Sequence, residues 1–394
     1  MLYWDANSTS KLRPVAVSAA EVLLRENRHL NPSSIHSEGR KARAELRRAK
    51  DQILSYLFPN DQDPLKLANI VFVSGGTEGC NSLIHGYLAG INFQQSTVVS
   101  SAIEHAAILE PLKNYKFQGV NSKLVNAKLN GVVDVDEFIS EIDNTTVLST
   151  LMLANNETGK GQNVSEIATI IKKKFSDTVF VSDITQAVSK TSLDLASLFE
   201  SGVDAVVLSA HKIGAMPGIG AIIFNSKATC RFFHPLILGG GQEGKLRGGT
   251  EFLFGAKLFG EVCHDLKKNG EKEIAVRRRL KFQLIDKLHA AIPELKILGD
   301  NSNEYDLVNT LYIQAPNTRA DDLAVALDIE GLMVSTGSAC SSGRQDVSHV
   351  PLALGYSKDE AREFFRVSLD WDVKEKELDK GVELIKRTLS RFIS

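Results

Sequence analysis

Residues 205–212 read Ala205-Val206-Val207-Leu208-Ser209-Ala210-His211-Lys212. Four apolar residues run without a polar break, as a strand does when helices cover both its faces, and the chain then turns abruptly polar. Five runs of similar character surround it, at 70–74, 97–101, 147–153, 179–182 and 219–224. Helix-period patterns lie between them at 83–89, 107–117 and 165–175. Such alternation predicts an α/β fold with a mostly parallel sheet. Beyond residue 256 the character changes. Two helical patterns (256–268 and 271–291), short strands near 307–313 and 364–369 and a terminal helix at 374–392 read as a smaller α+β unit. The expected division is a large domain over 16–255 and a small domain formed by 1–15 with 256–394.

The bulk composition excludes several functions. The 394 residues carry a net charge of −2, with 43% hydrophobic and 24% charged residues, the balance of a globular chain of two or three domains. No overall field favours nucleic acid or an anionic membrane. The basic stretch 40–50 has apolar Ala42, Leu46, Ala49, Ile53 and Leu57 at helical spacing, so it reads as an amphipathic helix with a solvated face. No apolar run reaches the roughly 20 residues that span a bilayer. The four cysteines (Cys80, Cys230, Cys263 and Cys340) are scattered. That argues against a zinc or other metal site and against a disulfide framework, and for a reducing, cytoplasmic setting. The polar stretch 60–64 has no assignable chemistry.

In parallel α/β sheets ligands bind beyond the carboxyl ends of the strands, so the residues that follow each strand matter most. Gly75-Gly76-Thr77-Glu78-Gly79 leads into a helix and suits a phosphate, although alone such a run is more often a simple tight turn. His105 can stack on an aromatic ring and move protons, although a lone histidine is commonly structural. Asn155-Asn156 offers neutral donors, or a turn. Asp183 ends a buried strand and needs a strong donor, such as a protonated pyridine nitrogen, or else caps the next helix. Lys212 follows a buried strand, where desolvation can make its amine nucleophilic, although a loop lysine is far more commonly an exposed one. No single signal is specific. Together, on successive strand ends of one sheet, they spell pyridoxal phosphate.

The chain resembles the cysteine desulfurases of the NifS/IscS type, relatives of the class V aminotransferases with the fold-type-I pyridoxal-phosphate transferase architecture. The resemblance runs nearly end to end. It rests on Trp4-Asp5-Ala6-Asn7-Ser8-Thr9, Asn31-Pro32-Ser33-Ser34-Ile35-His36, Ser74-Gly75-Gly76-Thr77-Glu78, Glu104-His105, Asn155-Asn156-Glu157, Ser209-Ala210-His211-Lys212, Gly239-Gly240-Gly241-Gln242-Glu243, Arg247-Gly248-Gly249-Thr250, Gly337-Ser338-Ala339-Cys340 and Arg366-Val367-Ser368-Leu369.

The resemblance implies roles. Lys212 would hold pyridoxal 5'-phosphate as a Schiff base. Asp183 would pair with the ring nitrogen, Gln186 with the ring hydroxyl, and His105 would stack and act in acid–base steps. Gly76, Thr77, Ser209 and His211 would hold the phosphate, joined by Thr250 from the neighbouring subunit of a homodimer. Asn156 and Arg366 would hold the substrate carboxylate, with Asn156 also beside the cofactor. Cys340, set among small and hydroxylic residues that suit a mobile loop, would take sulfur from L-cysteine as a persulfide, leaving L-alanine. A sulfur-acceptor protein, such as an iron–sulfur scaffold, would follow, serving iron–sulfur cluster or thio-cofactor biosynthesis. Two alternatives share the residues: a selenocysteine lyase or C–S β-lyase on this fold, and a catalytically silent dimeric platform. The chain departs from the family pattern at Gly79-Cys80, at Ile213-Gly214-Ala215-Met216-Pro217-Gly218, where a basic residue is missing, and at Ser189 and Asp370, where glycine is usual.

Overall fold

A computed structural model describes residues 1–26, 31–61, 63–227, 233–298, 303–337 and 347–392. Gln62, Cys230 and Cys340 lie outside the described residues. The strands in chain order are β1 (Leu2–Tyr3), β2 (Ala68–Val73), β3 (Thr97–Ser101), β4 (Asn121–Val125), β5 (Thr146–Thr150), β6 (Val179–Asp183), β7 (Ala205–Ser209), β8 (Gly220–Asn225), β9 (Lys296–Ile297), β10 (Thr310–Gln314), β11 (Leu332–Met333), β12 (Ser335–Thr336) and β13 (Phe364–Ser368).

Seven of these strands form the main sheet, in the order β2-β8-β7-β6-β5-β3-β4. The pairs from β7 through β4 are parallel, whereas β8 runs antiparallel to both β2 and β7. The mostly parallel sheet expected from the sequence is therefore present, and the carboxyl ends of β2, β3, β5, β6 and β7 share one edge. Strand β7 illustrates why both faces are apolar. Val206 and Leu208 enter one core, with the Ser37–Leu57 and Val164–Lys174 helices, while Ala205 and Val207 enter the other, with the Gly76–Leu88 and Ala106–Phe117 helices. A side-chain period of two feeds both layers. Each buried Val or Leu contributes about 1.5–3 kcal/mol.

A second, antiparallel sheet has the order β12-β13-β10-β9, and β1 pairs with β11 beside it. Its core joins Leu2 and Trp4 to Leu311, Ile313, Phe365 and Val367, and to the Glu375–Leu389 helix. The chain's first residues are thus held by its last helix.

Three sequence expectations need correction. The patterns at 256–268 and 271–291 are one helix, Leu253–Ala291. A mid-helix glycine costs about 1 kcal/mol, less than the helix gains by burying Leu258, Phe259 and Val262 in one core and Leu280, Leu284 and Leu288 in another. The strand near 307–313 begins only at Thr310, because the N–H groups of Leu307 and Val308 donate to Gly159 and Lys190 carbonyls beside the site. Strand β4 was not expected. It is a polar edge strand, mostly half-buried or exposed, and lacks the apolar signature.

Trp4 is 1% exposed, and a β-carbon at Gly381 would lie 1.9 Å from its ring. Gly381→Val is expected to displace Trp4 and lower stability by about 1–3 kcal/mol, read as a lower urea midpoint.

Candidate active site

The carboxyl edge of the main sheet opens into a cavity of about 340 Å³. At one end the Gly76–Leu88 helix begins, its first-turn N–H groups lacking intrahelical acceptors and its dipole favouring an anion. A β-carbon on Gly76 would sit 3.4 Å from Thr185 Oγ1 and 3.6 Å from Ser209 Cβ, so the three residues form a narrow cradle. Thr77, Ser209 and His211 line it as well. The Thr185 hydroxyl is buried and has no partner among the described residues, a donor that awaits an acceptor. The departure at Gly79 has a packing cause. A β-carbon there would lie 2.7 Å from Val207 Cγ1, so only glycine lets the helix approach β7 this closely.

Asp183 ends β6 with one oxygen accepting the Thr185 N–H at 2.8 Å. Its other oxygen receives the Cys80 thiol at 3.8 Å, a weak donor that leaves acceptor capacity for a stronger one. The Cys80 thiol is pushed up by burial and by the negative charge of Asp183. His105 caps the Ala106–Phe117 helix, its Nδ1 accepting the Ala107 N–H at 3.1 Å. That bond places the ring proton on Nε2. Burial lowers the His105 pKa, with Asp183 opposing and Lys212 and His349 reinforcing the shift.

Lys212 stands on the short 3-10 turn after β7, and its Nζ donates to the carbonyls of Asn7 at 2.6 Å and Ser8 at 2.7 Å. The Asn7 carbonyl also accepts Gln186 Nε2 at 3.0 Å, and Asn7 Nδ2 donates to the carbonyl of Asn156. Arg366, on β13, closes the far wall. Its Nη1 donates to the Asn156 carbonyl at 2.9 Å, and its Nη2 to Asp5 Oδ1 at 2.6 Å and Ser8 Oγ at 2.8 Å. Its Nε is buried without a partner among the described residues. His211 bonds Thr9 Oγ1 at 3.1 Å, and burial with the nearby Lys212 and Lys190 lowers its pKa to about 4.

The profile of the family described as Aminotransferase class-V matches residues 2–380. This chain belongs to that family. A Nostoc sp. protein named cysteine desulfurase is 31% identical over 392 residues, covering 100% of this chain and 94% of the relative. An Archaeoglobus fulgidus protein named cysteine desulfurase IscS 1 is 30% identical, covering 100% and 98%. Among solved structures, a NifS-like protein superposes with a TM-score of 0.88 at 28% identity, and one from Rickettsia africae with 0.85 at 29%, each covering 99% of both chains.

In this class-V aminotransferase relative, ten sequence-selected residues share the cavity: Gly76, Thr77, His105, Asn156, Asp183, Gln186, Ser209, His211, Lys212 and Arg366. Thr250 is exposed and outside its lining, and Cys340 is outside the described residues. The sequence reading gave no role to Asn7, Ser8 or Thr185, which also line it. Asn7 and Ser8 open the polar run 7–11 just beyond buried Trp4 and Ala6, a break that marks a segment entering a site. Thr185 stands one residue before Gln186. Among the described residues no group of histidine, cysteine and carboxylate side chains can hold a metal, and no helix is long and apolar enough to cross a membrane.

Behind the site, Glu104 is fully buried. Its Oε1 accepts the Met152 N–H and its Oε2 has no partner among the described residues. Burial, with the charge of Asp183, raises its pKa to about 8. A carboxyl raised in the folded state binds a proton that the unfolded chain has released. It therefore supports the fold fully below the unfolded pKa near 4.5 and loses that support as pH rises through about 8. Glu104→Gln, which keeps the Oε1 acceptor, is expected to gain stability over wild type between pH 5 and pH 8, by about 1 kcal/mol or more at the upper end, in paired urea melts.

Proposed function

We propose that this chain is a cysteine desulfurase that works with pyridoxal 5'-phosphate, converting L-cysteine to L-alanine and passing the sulfur on. The observation that carries the reading is one cavity holding a helix N-terminus with an unpartnered Thr185 hydroxyl, the Asp183 carboxylate and the Lys212 amine. That donor and acceptor set fits a phosphate, a protonated ring nitrogen and an aldehyde. Gly76, Thr77, Ser209 and His211, with Thr185, would hold the phosphate, Asp183 the ring nitrogen, Gln186 the ring oxygen, His105 the ring face and Lys212 the aldehyde carbon. Bound there, the cofactor supplies an electron sink for the bonds at the substrate Cα.

The residues of the chain do the rest. Arg366, its guanidinium plane fixed by Asp5 and Asn156 and its Nε still to be satisfied, takes the substrate carboxylate with Asn156. Lys212 Nζ is the base that removes the Cα proton, and the Asn7 and Ser8 carbonyls stabilise its charged form. His105, kept neutral by burial, carries a proton at Nε2 for the substrate sulfur. The Cys340 thiolate attacks that sulfur. A sulfur–sulfur bond forms as the substrate carbon–sulfur bond breaks, and the electron pair of the broken bond stays with the carbon fragment, which gains protons and leaves as L-alanine. Cysteine chemistry of this kind accords with relatives named cysteine desulfurase and with a solved neighbour described as SspA in complex with cysteine, 26% identical with a TM-score of 0.76. Thr250, exposed on its own chain, serves the phosphate of a second copy in a homodimer. A sulfur-acceptor protein, such as an iron–sulfur scaffold, receives the persulfide.

The test is alanine release from L-cysteine by the cofactor-loaded protein. Cys340→Ala is expected to keep the bound cofactor and lose turnover by 100-fold or more. Arg366→Ala is expected to keep the cofactor and raise KM by about 10- to 100-fold, the cost of removing a charge-assisted carboxylate contact. A loaded wild type that releases no alanine overturns the proposal. Alanine release by Cys340→Ala at the wild-type rate would instead mark a lyase that needs no protein persulfide.

A further inference from the structure

Lys190 is a second lysine beside the cavity, and the mechanism above does not use it. It is 1% exposed, and its Nζ donates to Gln186 Oε1 at 2.6 Å, across the turn that joins the two residues. Fully buried lysines are rare and costly, so a structural filler of this length would ordinarily be apolar. The neighbouring backbone is specialised as well. Ser189 adopts a left-handed φ of 64°, and its carbonyl accepts an N–H from buried Arg277. The Lys190 carbonyl accepts the Val308 N–H at 3.1 Å. The strained turn and its two tethers aim the Lys190 side chain at one group, the amide of Gln186.

That amide has two possible orientations, and its neighbours select one. Lys190 can donate to its oxygen, and the Asn7 carbonyl can only accept from its nitrogen. Turning the amide over would set oxygen against oxygen at Asn7 and lose the Lys190 bond. In the selected orientation Nε2 spends one hydrogen on Asn7. The second is left for the cavity that Gln186 lines.

We propose that Lys190 is a positioning residue: it pins the Gln186 side-chain oxygen so that the amide presents an N–H to the ring oxygen of the bound cofactor. This rests on the cofactor reading above. The donated N–H steadies the ring oxygen as an anion and so lowers the proton affinity of the nitrogen that joins Lys212 to the cofactor. Other charges face the same groups and stay constant in the comparison. Burial pushes the Lys190 pKa well below the usual lysine range, Lys212, Arg277 and Arg366 reinforce that shift, and Asp370 opposes it. Asp183, His105 and His211 line the cavity on the other sides.

The full-length protein loaded with pyridoxal 5'-phosphate tests this through the pH midpoint of its lysine-bound absorption band. Lys190→Met is expected to raise the midpoint by at least about half a pH unit, corresponding to roughly a threefold change in proton affinity. The same substitution in a Gln186→Leu background is expected to add no further shift. Lys190→Gln, a neutral donor, is expected to shift less, in the same direction. A folded Lys190→Met that titrates at the wild-type midpoint overturns the proposal, as does an undiminished shift in the Gln186→Leu background. Should neither Lys190 variant accumulate, Gln186→Leu alone decides. The proposal expects a raised midpoint from loss of the donated N–H, and a Gln186→Leu that titrates at the wild-type midpoint overturns it. A wild type that takes up no cofactor sinks both readings, whereas an unshifted Lys190→Met beside a titrating wild type sinks this one alone.

Discussion

The backbone carbonyl of Asn7 accepts Lys212 and Gln186 together, and the site is assembled around that oxygen. A loop lysine at a strand end would normally extend into water, because removing an ammonium from solvent is expensive unless it is fully paired. Here the fold brings the first residues of the chain to it. Asn7 is itself fixed on every side: its N–H donates to Ser368 Oγ, and its side chain reaches Thr310 and the Asn156 carbonyl. Ser368 and Thr310 belong to the antiparallel sheet, whereas Lys212 and Gln186 stand on the turns that follow β7 and β6 of the main sheet. One residue therefore ties both sheets to the reacting groups.

The same economy explains the residues that depart from the family pattern. Asp370 stands where the family resemblance leads one to expect glycine, and its carboxylate accepts the Ser10 hydroxyl at 2.6 Å and the Lys11 N–H at 2.8 Å. It holds the N-terminal segment a few residues beyond the point where Lys212 touches it. Ser189, where the family resemblance leads one to expect glycine, accepts a left-handed backbone, which costs a non-glycine residue on the order of 1 kcal/mol or more. The Arg277 bond to its carbonyl offsets that strain from the far side of the site. In both places a side chain or a distant tether does what backbone freedom usually does.

How much of this was legible in the sequence depends on the kind of signal each part leaves. Strands buried on both faces leave runs without a charged residue, so β3 and β7 were read to the residue and the sheet class followed. Edge strand β4, wet on one side, leaves none. Gly270 looks like a break because local propensity ignores the two cores that the long helix packs against. The site residues that follow strands were legible because topology places all strand ends on one edge. Asn7 and Lys190 were not. They act through a carbonyl and a second amide, and a linear reading gives no reason to bring residue 7 to residue 212. Thr185 was hidden by its neighbours Asp183 and Gln186, whose chemistry accounts for the run without it.

The turn after Lys212 shows how a missing residue can be replaced by geometry. The basic side chain that the family resemblance leads one to expect is absent, and Gly214 there has φ +88°, with a would-be β-carbon 2.7 Å from Arg13 Cγ and 2.9 Å from the Lys11 carbonyl. Only glycine lets the N-terminal segment cross this closely. Arg13 then binds the turn from outside the cavity. Its N–H donates to the Gly214 carbonyl, its Nε to the Ile213 carbonyl, and its guanidinium pairs with Glu273 on the long helix. Burial alone would lower the Arg13 pKa, and the Glu273 partnership outweighs it, so the cation persists. A fixed charge thus still braces the lysine turn, but it comes from the N-terminal segment and leaves the cavity side open. The segment that accepts the Lys212 ammonium at residues 7 and 8 also clamps its backbone at residue 13. Displacing that segment would therefore loosen the lysine and its turn together.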